Sequence, residues 1–131
     1  MPESNQVRWF GVRPVNPPET FPVTDIDATL AVQYTLSIDA GASGNIDVQP
    51  PAGEVWRIRY TNQHGSGADI SLDEVLISPD GGTTFYHFGA AHLDNDVVVL
   101  DENSILRFTF SNGGTAAEDA ILNVFGEKLK V

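Results

Sequence analysis

From residue 28 the chain reads with period two. Leu30, Val32, Tyr34, Leu36 and Ile38 alternate with Ala31, Gln33, Thr35 and Ser37, which predicts a half-buried β-strand. Asp39 to Asn45 is Gly- and Ser-rich and reads as a turn. Ile46 and Val48 make a short strand that Pro50 and Pro51 stop. Trp56, Ile58 and Tyr60 then share one face and Arg57 and Arg59 the other, before an expected loop at Gln63 to Gly67. Ile70 and Leu72 open a strand that Val75 and Ile77 continue on the opposite parity, which predicts a β-bulge or break near Asp73. Pro79-Asp80-Gly81-Gly82 has hairpin-turn chemistry: proline presets the first turn dihedral and glycine supplies positive φ.

The pattern continues in the same way to the end. Thr83 to Phe88 returns as a strand, with Tyr86 alternating outward from Phe85. A longer loop follows at Gly89 to Asp96, then an apolar run at Val97 to Leu100 and a turn at Asp101 to Asn103. Leu106, Phe108 and Phe110 alternate with Arg107 and Thr109 up to an Asn112-Gly113-Gly114 turn, and Leu122 and Val124 lead the last strand. No window of eleven residues carries a helical stripe, and Ala116 to Ala120 holds at most one turn. About eight strands at turn spacings near ten residues predict an all-β, antiparallel β-sandwich of the jelly-roll type. Its expected core includes Trp56, Ile58, Leu106, Phe108 and Phe110.

Residues 1–27 break this rhythm. They hold five of the eight prolines, Pro2, Pro14, Pro17, Pro18 and Pro22, and proline lacks a ladder donor. The segment is expected to be an extended N-terminal arm, with one short strand possible at Val7 to Arg13, ahead of a sandwich domain at 28–131. Trp9, Phe10, Val12 and Phe21 are too apolar for a free tail. They are the candidate interface residues, lying on the arm's own body or on a neighbouring subunit.

Composition narrows the function. Eighteen acidic residues against seven basic ones give a net charge of −11. Such a surface repels phosphate backbones and anionic membranes, so neither is an expected partner. The charge is a source of solubility. Asp-rich, Lys-poor surfaces also resemble those of proteins from halophilic archaea and their viruses. There is no cysteine, hence no disulfide, thiolate metal site or cysteine nucleophile. The N-terminal MPESNQVRWF lacks the apolar region of a signal peptide, and no stretch reaches the roughly 18 apolar residues of a membrane span.

No catalytic constellation emerges, and the chain is not expected to be an enzyme or to hold a cofactor. His64, His87 and His92 lack the paired HxH spacing of a metal-binding jelly roll, and a face histidine plus loop histidines is the plainer reading. Asp94 and Asp96 could supply calcium oxygens, but a calcium site needs more ligands, and a solvated acidic loop is the plainer reading there too. Asp25/Asp27 and Asp73/Glu74 are carboxylate pairs by sequence proximity alone. Ser66 lies in GSG, not in GxSxG, and neither Gly65-Ser66-Gly67 nor Gly81-Gly82 precedes the lysine of a phosphate loop. Trp9, Tyr34, Trp56, Tyr60 and Tyr86 could stack on sugars, although Trp56 and Tyr60 share the parity of Ile58 and read as core. Arg57, Arg59 and Arg107 are expected in cross-strand pairs with acids.

The run Ile46-Asp47-Val48-Gln49-Pro50-Pro51-Ala52-Gly53-Glu54-Val55-Trp56-Arg57-Ile58 ends a strand in a Pro-Ala-Gly turn and opens a Trp-containing strand. With Ser78 to Thr84 and the Leu106 to Asn112 strand, it resembles small β-sandwich virion proteins of tailed phages and related archaeal viruses. The resemblance covers residues 46–125. It implies a capsid decoration, turret or tail-associated protein located in the virion. Such a protein is often a trimer and works through contacts with itself and other virion proteins. A carbohydrate-binding, lectin-like module is the alternative.

Overall fold

The computed structural model describes residues 26–88 and 97–131. They form eight strands: β1 (Ile26–Ile38), β2 (Ser43–Val48), β3 (Val55–Gly65), β4 (Ile70–Ser78), β5 (Tyr86–His87), β6 (Val98–Leu100), β7 (Ile105–Asn112) and β8 (Glu118–Leu129). These make two antiparallel four-stranded sheets, ordered β1-β8-β3-β6 and β2-β7-β4-β5. Among the described residues there is no helix. The arm residues Trp9, Phe10, Val12 and Phe21, and the possible strand at Val7 to Arg13, lie outside the described residues.

The period-two pattern places the core between the sheets. Leu30, Trp56, Ile58, Leu100, Leu122 and Val124 from the first sheet meet Ile46, Val48, Val75, Leu106, Phe108 and Phe110 from the second. Of the residues expected in the core, Trp56, Ile58, Leu106, Phe108 and Phe110 are buried. Each such side chain contributes roughly 1.5–3 kcal/mol on full burial. The alternating face of β1 is buried at its ends, Leu30 and Ile38, while Val32, Tyr34 and Leu36 are half-buried.

Besides a register shift at the start of β1, between Ile26 and Ala28, two bulges interrupt the ladders. The expected one is present: the β4–β7 register shifts between Leu72 and Glu74, which lets Leu72 and Val75 both turn inward. The second was not anticipated. The β3–β8 register shifts between Ile58 and Tyr60. Arg59 is the extra residue, and beyond it the inward position falls to Thr61 rather than Tyr60. Tyr60, expected in the core, is therefore turned out and 40% exposed. Gln63 to Gly65, expected in a loop, extends β3 instead, paired with Leu122, Ile121 and Ala120.

The turn after β4 is held by its polar side chains. Buried Ser78 donates to Asp80 Oδ1 (2.8 Å) and accepts the Gly82 N–H (2.9 Å). Asp80 Oδ1 also accepts the Thr84 N–H at 2.8 Å. These bonds hold the Asp80 carboxyl below the ordinary aspartate range, the Thr84 N–H contributing most. Gly81 and Gly82 take φ of 75° and 99°, a region other residues rarely enter. Asn112 closes the opposite end of the sandwich. Its buried amide donates to Ile38 O (2.9 Å) and Ala116 O (2.8 Å), and its oxygen accepts the Gly114 N–H.

Candidate interaction surface

Strand register brings distant residues into rows on the outer face of the β1-β8-β3-β6 sheet. Ala31, Phe125 and Tyr60 form one row, Gln33, Asn123 and Asn62 the next, and Thr35, Ile121 and His64 the third. The Tyr60 and Phe125 rings stack with centroids 6.0 Å apart and planes at 26°. Both side chains are 40% exposed. In the middle row, Gln33 Nε2 donates to Asn123 Oδ1 (2.9 Å) and Asn123 Nδ2 donates to Asn62 Oδ1 (2.8 Å). Three strands are thus joined by one amide ladder.

None of the three rows contains a carboxylate, although the chain carries eighteen. Among the described residues, acids enter this face toward its ends, at Asp119 and Glu127. Glu127 is neutralised by Arg57 and Arg59, each 2.9 Å away. Burial raises the Glu127 carboxyl, but the hydrogen bonds and charges of the two guanidinium groups outweigh it and hold the group below the ordinary range. Arg57 is a direct register partner of Glu127. The expected pairing of the arginines is therefore present, although Arg57 is buried rather than laid on an open polar face.

The outer face of the other sheet is built differently. Arg107 holds its register partner Asp47 through two bonds, 2.8 and 2.9 Å, and its guanidinium lies 4.1 Å from the Phe85 ring centroid. Ser111 bonds Asp73 at 3.0 Å and Thr109 bonds Asn45 at 3.0 Å. Its charged and polar groups are spent on each other.

The remaining candidates do not converge. His64 lies on β3 of the first sheet, and His87 lies on β5 of the second, 3.5 Å from Glu74. His92, Asp94, Asp96 and Asp25 lie outside the described residues. Among the described residues no three His, Asp or Glu side chains gather closely enough to hold a metal ion. A depression of about 450 Å³ is lined by Asp27, Gly53, Glu54, Lys128 and Lys130 among others. It holds both lysines of the chain, but Lys128 is 3.5 Å from Glu54, so opposite charges offset one another there. Of the aromatic residues considered for stacking, Trp56 is buried with its N–H on Glu54 (2.8 Å), and Tyr60 and Tyr86 are exposed. Phe125 and the amides of Gln33, Asn62 and Asn123 were not singled out in the sequence. Each is ordinary alone, and only register joins them.

No protein-family model matches the chain, and no curated protein matches it.

Proposed function

We propose that the protein is a virion structural subunit, a capsid decoration or turret-type jelly roll that acts through subunit and shell contacts rather than through chemistry. The observation that carries this reading is the run of three carboxylate-free rows on the outer face of the β1-β8-β3-β6 sheet in a chain of net charge −11. Charged groups are depleted at the centres of protein interfaces and aromatic residues are enriched there. A half-exposed Tyr60–Phe125 pair has that character. The jelly-roll assignment draws support from connectivity. Every strand connection except β4–β5 passes from one sheet to the other, and the orders β1-β8-β3-β6 and β2-β7-β4-β5 fit two nested Greek keys. The arm, through Trp9, Phe10, Val12 and Phe21, is the second proposed contact with neighbouring subunits or capsid proteins. The acidic surface is read as adaptation to a high-salt host.

Mass spectrometry of gradient-purified particles tests the reading. The chain should copurify with virions in stoichiometric amounts. Tyr60→Asp combined with Phe125→Asp should leave the fold intact by circular dichroism and remove the protein from the particle. Absence of the wild-type chain from particles overturns the proposal.

A carbohydrate-binding module is the second reading, because a stacked ring pair beside an amide ladder offers both an apolar platform and hydrogen-bonding groups to a neutral sugar. A glycan array with wild type and Tyr60→Ala separates the two: saturable binding lost in the variant supports the sugar reading.

A further inference from the structure

We propose that the outer edge of β1 pairs with β1 of a second copy, antiparallel about a two-fold axis, joining two four-stranded sheets into one of eight strands. This deepens the assembly reading by naming one partner as the chain itself.

An open strand edge presents unpaired N–H and C=O groups, and proteins blunt such edges with short strands, lysines, prolines, bulges or covering segments. Among the described residues β1 pairs on one side only, with β8. It is the longest of the described strands, at 13 residues, and after a register shift at Asp27 its pairing with β8 runs unbroken from Ala28 to Ile38. Between these positions it has no proline, glycine or charged side chain. The other edge strands differ. β5 and β6 have two and three residues, and β2 has six with Asp47 on it. Among the described residues, β1 from Ala28 to Ile38 is therefore the edge that carries none of the usual protections.

Charge favours a second copy as the occupant. Two molecules of net charge −11 repel, so contact costs least where neither presents a carboxylate. From Ala28 to Ile38 the edge is neutral, and it continues into the neutral rows of the outer face. Gln33, at the middle of this stretch, is also self-complementary. Its amide gives one N–H to Asn123 and keeps the other N–H and its oxygen for a partner. Two such amides facing each other across a two-fold axis satisfy one another. A two-fold edge contact builds even-numbered assemblies, in contrast to the three-fold one that the resemblance implies.

The full-length chain provides the test, helped by its lack of cysteine. Light scattering should give a dimer or an even multiple of it. Ala31→Lys with Thr35→Lys, both at exposed positions, should halve that mass and leave the melting midpoint within a few degrees. Single cysteines at the exposed positions 29, 31, 33, 35 and 37 should form intermolecular disulfides with one sharp maximum. Each step of one residue from the axis separates the two copies by about 7 Å more, and disulfides need Cα atoms within roughly 7 Å. A monomeric wild type, an odd-numbered oligomer, an unchanged mass in the lysine variant, or cysteine cross-linking without a maximum overturns the proposal. Residues 1–25 filling the edge would produce the last result. Copurification with virions in any of these cases leaves the assembly reading standing while the edge pairing falls.

Discussion

Gly126 faces the carbonyl of Arg57 so closely that a Cβ placed there would collide with the Arg57 oxygen and carbonyl carbon. The contact lies at the β3 bulge, where Ile58 pairs with Gly126 and Tyr60 already pairs with Phe125. The bulge presses one backbone onto the other, and only the residue without a side chain fits.

Gly126→Ala is therefore expected to cost about 1–3 kcal/mol or more, the range of overpacking in a closed interior. Urea denaturation measures it. An unchanged midpoint would show that the strands separate freely and that the bulge does not depend on glycine.

The same place marks the limit of sequence reading. The bulge at Asp73 was legible because Leu72 and Val75 are both apolar and their parities disagree. The bulge at Arg59 was not, because Tyr60 is an aromatic residue that sits equally well inside or outside, and its enabling glycine lies on another strand. The amide ladder was illegible for a related reason. Gln33, Asn62 and Asn123 carry no pattern individually, and pairing register is not written in any one strand. The sandwich core, by contrast, was readable from alternation, since Phe108 and Phe110 can face only one way beside Arg107 and Thr109.

Phe108 is fully buried at the centre of β7, facing the other sheet. Phe108→Ala should destabilise the fold by about 3–5 kcal/mol through lost burial and the cavity left behind. Calorimetry on the variant checks this, and a negligible shift would contradict the core assignment.

Glu127 gives the fold an acid sensitivity. Its carboxyl is held below the ordinary value in the folded state, so its contribution is present above the unfolded-state pKa and is lost as pH falls through the lower folded value. Wild type should lose stability below about pH 4. Glu127→Gln should be weaker at neutral pH by about 1–3 kcal/mol, and the gap to wild type should narrow on acidification. Denaturant midpoints at pH 7 and pH 3 measure both quantities, and an equal gap at the two pH values would exclude this role.

Gln63 Oε1 is buried without a hydrogen-bond partner. An unpaired buried acceptor forfeits its hydration. Gln63→Leu, similar in size, should leave stability unchanged or raise it by about 1 kcal/mol. A loss of stability would show that the oxygen is solvated in solution.

Net charge of −11 predicts a stability that rises with salt. The Debye length falls from about 30 Å at 0.01 M to about 3 Å at 1 M, which screens the self-repulsion. The melting temperature should rise in molar KCl beyond any gain in an osmotically matched sucrose solution, since salts and osmolytes also strengthen apolar burial. A melting temperature indifferent to KCl would remove the argument for a saline habitat.

β1 and β8 are register partners from Ile26↔Leu129 to Ile38↔Glu118. The earliest described strand thus waits for the latest, which has a temporal meaning. While the chain is being synthesised, β1 waits for its partner β8 until about ninety further residues have been added. Its ladder groups on that side go without β8 for the whole interval. Loop closure over such distances is slow, and a bare strand is aggregation-prone while it waits. The yield of native protein should therefore be set less by final stability than by how quickly the last strand arrives.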